Sequence, residues 1–194
     1  MTTGLSRYAA SKDEIATALA EAKYDLPHGD IGSLSAPLHL VRGDLSLPEL
    51  VWTTGTLVVI GSLTVQGQVD LQQSGKPIVN LVVTGNCELP LAYVDAFLCV
   101  GGNLTIGTMI ADSNWGGGVF VAGNLTGHTL VVKDIGVEVD GTEHVERVAD
   151  CDDPDAARVV VPALYDDHDE PNPRHLFAAL RDSFGKTPPP SAAV

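Results

Sequence analysis

One pattern recurs along this chain of 194 residues and constrains its fold more than any other feature: apolar, any, apolar, any, Gly, polar, apolar, polar, apolar. It reads LVVIGSLTV from Leu57 to Val65, LVVTGNCEL from Leu81 to Leu89 and LCVGGNLTI from Leu98 to Ile106. VFVAGNLTG, from Val119 to Gly127, departs only in its last position, and HLVRGDLSL (His39 to Leu47) and VEVDGTEHV (Val137 to Val145) are weaker copies at either end. The central glycines, Gly43, Gly61, Gly85, Gly102, Gly123 and Gly141, lie 18, 24, 17, 21 and 18 residues apart, which marks a repeat array with variable inserts.

On both sides of each glycine the alternation has period two and is rich in Val, Ile and Thr, so two short strands meet at a glycine corner. Glycine suits a corner where the chain turns sharply or the next layer comes close. Asp44, Asn86, Asn103 and Asn124 follow it in four copies and can form a stacked ladder. Each unit has room for three strands of about five residues, so one unit is one rung. The expected fold is an all-β core, a single-domain β-solenoid of about six short rungs. Registering the copies places Leu57, Val59, Leu63 and Val65 inside, under Leu81, Val83, Cys87 and Leu89, and then Leu98, Val100, Leu104 and Ile106. A sandwich or barrel also has many short strands but gives no reason for this register. A hexapeptide coil needs a strict period that the inserts destroy.

The outward column of the first strand is Leu40, Val58, Val82, Cys99, Phe120 and Glu138. Five apolar residues in a row need a cover: a terminal helix, a second copy of the chain in a homodimer, or a partner. Ser11-Lys-Asp-Glu14 is a capping box that starts an N-terminal helix from Lys12 to about Tyr24, with Ile15, Ala18, Leu19 and Ala22 on one face. It is expected to pack on the first rung and close its open end. Asn172-Pro173 begins a second amphipathic helix with the stripe Leu176, Phe177, Leu180 and Phe184, ending at Gly185. The chain thus divides into a helix and cap (1–36), the solenoid (37–147), an acidic segment (148–170), a C-terminal helix (171–185) and a disordered tail (186–194).

Charge narrows the partners. The formal net charge is −14, and the stretch from Glu138 to Glu170 holds twelve carboxylates against Arg147 and Arg158, a net −10. Such a field repels nucleic acid and anionic lipid and favours a basic protein. No apolar run reaches the length of a membrane span, and Met1 to Ser11 lacks the blocks of a secretory signal. A cytoplasmic location is expected. Cys87, Cys99 and Cys151 form no Cys-x-x-Cys pair and read as reduced thiols.

No catalytic, cofactor-binding or metal-binding residue is assigned. The Asp166 to Glu170 cluster lacks the spacing of a calcium loop, the six histidines are scattered, and Gly116-Gly117-Gly118 opens no phosphate-binding helix. The expected protein is not an enzyme and carries no cofactor.

The units LVVIGSLTV, LVVTGNCEL and LCVGGNLTI resemble the rungs of bactofilins, the bacterial polymer-forming β-helical proteins, over roughly residues 37 to 147. That resemblance implies a self-associating structural scaffold. The small acidic solenoid with irregular inserts is also similar to immunity proteins of bacterial polymorphic toxin systems, which implies neutralisation of a basic toxin domain by direct occlusion. The latter is the leading expectation and the scaffold its alternative. Asp150, Asp152, Asp153, Asp155, Asp166, Asp167, Asp169 and Glu170 are the candidate electrostatic contacts. Trp52, Tyr93 and Trp115, each in an insert after a rung, are candidate aromatic anchors.

Overall fold

The alternation around each glycine folds as expected into parallel strands, described in a computed structural model over residues 8–27, 33–72, 79–113, 116–161 and 171–183. After helix α1 (Lys12–Glu21), the first rung comprises β1 (Leu38–Arg42), β2 (Leu45–Leu47) and β3 (Leu50–Trp52). The second comprises β4 (Thr56–Ile60), β5 (Leu63–Val65) and β6 (Gln68–Gln72). In the next four rungs the second and third strands merge: β7 (Asn80–Val83) with β8 (Cys87–Asp95), β9 (Phe97–Val100) with β10 (Leu104–Asp112), β11 (Gly118–Val121) with β12 (Leu125–Lys133), and β13 (Gly136–Val139) with β14 (Glu143–Asp150). Helices α2 (Pro154–Val160) and α3 (Pro173–Ser183) follow. The product is a β-solenoid of six rungs with three faces.

The first face is the parallel sheet β1-β4-β7-β9-β11-β13. Its register is the one the repeats predict, with His39, Leu57, Leu81, Leu98, Val119 and Val137 stacked in one column. All twelve inward residues expected for the three strongest units are buried in the main core. Each contributes roughly 1.5 to 3 kcal/mol by leaving water. The long strands bend where second face meets third. Leu89 and Ala92 both point into the core, so the alternation slips by one residue around Pro90. Across the bend the register continues, Leu89 on Ile106 and Ala92 on Met109.

The glycines stack directly on one another. The amide of Gly85 donates to the carbonyl of Gly61 at 2.8 Å, Gly102 to Gly85 at 2.9 Å and Gly123 to Gly102 at 3.0 Å. Beside them runs the side-chain ladder. Asn86 Oδ1 accepts from the Asn103 amide, Asn103 Oδ1 from that of Asn124, and Asn124 Oδ1 from that of Thr142, each at 2.9 Å.

The capping box forms, Ser11 Oγ accepting from the Glu14 amide at 3.2 Å and the Ser11 amide donating to Glu14 Oε2 at 2.7 Å. The place of α1 differs from the expectation that it would close the open end. Ile15 and Leu19 instead lie over the outward column of the first face, against Val58, Val82 and Cys99. That column offers more apolar area than one rung end, so burial is greater there. Ala22, beyond the helix, stays exposed. The edge of β1 in the first rung is met by Ala9, which pairs antiparallel with His39, and Tyr8 packs on the core.

At the other terminus Asn172 caps α3, its Oδ1 accepting from the His175 amide at 3.1 Å. Leu176 and Phe177 bury against Leu91, Tyr93, Ile110 and Val131 on the outside of the third face. Phe184 and Gly185 lie outside the described residues. Helix α2 brings Ala157 into the same cluster. No helix among the described residues is long and apolar enough to cross a membrane.

Candidate functional site

Two of the three faces are covered, the first by α1 and the third by α2 and α3. The second face is polar, and no helix among the described residues lies on it. Its outward column is Ser46, Thr64, Glu88, Thr105, Thr126 and His144.

The acidic residues gather at the end of the last rung. Asp150 closes β14, three residues past the expected end of the solenoid at 147, and its Oδ1 accepts from the Asp152 amide at 2.9 Å. Asp153 precedes α2 and Asp155 sits in its first turn. All four are exposed. Sequence reasoning missed their neighbours as contacts: Glu138, Asp140, Glu143 and Glu146 are exposed on the same rung. The signal was present in the weak sixth copy, where Glu143 occupies the position held by Leu63 or Leu104 elsewhere. Asp166, Asp167, Asp169 and Glu170 lie outside the described residues.

The aromatic anchors need correction. Trp52 is buried in the main core, with its indole N–H directed at the Gly55 carbonyl and its ring edge-on to His39. Tyr93 is fully buried beneath α3 against Phe177. Neither ring presents a surface to a partner, because each points at apolar area the chain itself supplies. Trp115 lies outside the described residues.

Tyr93 belongs instead to a buried polar network that fastens α3 to the third face. Its hydroxyl donates to Asp112 Oδ2 at 2.9 Å and accepts from Arg174 Nε at 3.0 Å. An Arg174 terminal nitrogen reaches Asp95 Oδ2 at 3.2 Å. Asp95 and Asp112 are both buried. Burial drives the Asp95 pKa above the usual carboxylate range, with Asp112 adding to the rise and Ser113 and Arg174 opposing it. Burial likewise keeps the Tyr93 phenol protonated, so it serves as donor to Asp112. The arrangement balances two buried carboxylates with one guanidinium, and its chemistry is that of a clasp. Cys87 and Cys99 are buried thiols whose pKa is pushed up to about 12 by loss of solvent.

No family model, curated protein or solved structure matches this chain.

Proposed function

We propose that the chain is a non-enzymatic binding protein for a basic protein partner, acting as an immunity protein that occludes a basic toxin domain. The observation that carries this reading is the concentration of exposed carboxylates at one end of the solenoid, Asp150, Asp152, Asp153 and Asp155 beside Glu138, Glu143 and Glu146. A rod with such a carboxylate cluster at one end presents a focused field there, which speeds encounter with a cationic surface and disfavours other partners. The test is stopped-flow association with candidate basic toxin domains drawn from the gene neighbourhood of this chain. Asp150→Lys with Asp152→Lys is expected to slow association about tenfold and steepen no unfolding transition. Equal losses of binding and of folding stability, or growth rescue with no salt-sensitive complex, would count against occlusion.

The scaffold reading draws on the strand pairing, which stops at β13 and β14 among the described residues. Head-to-tail growth would set the first rung of one copy on the last rung of another. In that register Leu45 falls on Glu143 and Trp52 on Asp150. Burying those carboxylates against apolar side chains is costly, which favours the binder.

A further inference from the structure

The two ends of the solenoid are built differently. In the first rung the inward residues Val41, Leu50 and Trp52 are 5%, 1% and 5% exposed, Leu45 and Leu47 are partly buried, and none of these five positions carries a charge. In the last rung the inward aliphatics Val137, Val139 and Val145 are only partly buried and Val148 is 43% exposed. These four stand in register with buried Val119, Val121 and Leu130 and with Gly127. Two further inward positions of that rung are carboxylates, Glu143 over Leu125 and Asp150 over Val132. Glu138 and Glu146 stand outward, with Arg147 the cation of that rung. Beyond β13 and β14 no further strand is paired among the described residues.

We propose that this end is the docking surface, and that its occupant is an extended edge strand of the basic partner, added as a seventh layer on β14. The proposal rests on the reading of the chain as a binder of basic proteins and names the surface and the form of the partner. A strand laid on β14 satisfies the edge N–H and C=O groups about 4.8 Å away. Its side chains stack column by column on those beneath. Apolar residues are then required over Val145 and Val148, and cations over Glu143, Glu146 and Asp150. The occupant is a basic strand rather than a second copy, since a copy brings either apolar residues onto the inward carboxylates or its own acidic rung against them. The inward carboxylates therefore select the partner as well as attract it.

The register dictates a probe: the capped peptide Lys-Thr-Val-Lys-Thr-Val-Thr-Lys, compared with a same-composition isomer in which lysines and valines are grouped. Binding to the full chain is read by fluorescence anisotropy and the site by amide hydrogen exchange. The patterned peptide is expected to bind about tenfold tighter than its isomer and to slow exchange in β14 selectively. Val148→Asn, at an exposed position, and separately Glu143→Lys with Glu146→Lys, on exposed side chains that leave the fold intact, are each expected to remove that preference.

Equal, salt-sensitive binding of both peptides overturns the edge pairing while leaving the basic-partner reading standing. No binding of either peptide, or protection mapped elsewhere, also overturns it. So does protection of the β14 edge at the level of β10 in the chain alone, which would mean that another part of the chain covers it. A dimer in sedimentation that Val148→Asn abolishes would assign the end to a second copy. Should the toxin complex itself fail to form in the association experiment, the functional reading falls independently of the peptide result.

Discussion

At Gly102 a methyl group would stand 2.5 Å from Asn86 Oδ1, which is held by the Asn103 amide, and 2.8 Å from the backbone of Gly85, which cannot give way. Gly136, the first residue of β13, has nothing within 4 Å of its added carbon. Gly102→Ala is therefore expected to cost about 2 to 4 kcal/mol in urea unfolding, while Gly136→Ala stays within about 0.5 kcal/mol of the parent. The repeat glycines were legible in the sequence, but two reasons for them were open there, the turn or the close layer. At Gly102 close approach decides. Asp95 shows a residue effect the sequence did not announce. Its pKa is raised in the folded chain, chiefly by burial, so the folded state holds its proton more tightly than the unfolded state does. Its contribution to stability is then fully present at low pH and is lost as pH rises through the raised value, from about pH 4 upward. Asp95→Asn is expected to flatten that part of the stability profile in chemical denaturation across pH, and an unchanged slope would contradict it.

Among the elements, α1 and α3 were visible from their caps and apolar stripes, and both begin where predicted, at Lys12 and Pro173; α1 ends at Glu21, short of the predicted Tyr24, and the predicted end of α3 at Gly185 lies outside the described residues. Where they dock was less visible. The outward column under α1 was read from the repeat, because each of its members is the middle residue of a repeated strand. The equivalent apolar area under α3, Leu91, Tyr93, Ile110 and Val131, lies beyond the bend at Pro90 and outside the nine-residue pattern. The clasp joins Arg174 to Asp95 across 79 positions of sequence, a separation at which no local periodicity operates. Arg174→Met keeps the aliphatic stem but leaves Asp95 buried without its cation, a loss of roughly 1 to 2 kcal/mol because the half-exposed guanidinium is screened by solvent. Faster amide exchange throughout α3 with β10 unchanged is the expected outcome. Unaltered exchange in α3 would show that Leu176 and Phe177 hold it without the clasp.

For the whole molecule, the asymmetry of the ends sets the state of association. At the first rung Tyr8 packs on the core and Ala9 pairs with His39 on the edge of β1, and the last places Glu143 and Asp150 where a continuing rung would need apolar side chains. Sedimentation velocity and negative-stain imaging are expected to show discrete particles, whereas filaments would favour the polymer-forming alternative. The six rungs, their register and the inward aliphatics follow from the chain alone, because a period of two repeated around spaced glycines leaves one way to bury every apolar column. Which outer face each helix covers, the bend that carries Tyr93 inward, and the meeting of Asp95, Asp112 and Arg174 came from packing in three dimensions. Those contacts join residues whose spacing has no period, and competition for apolar area, resolved over the assembled surface, chooses among them.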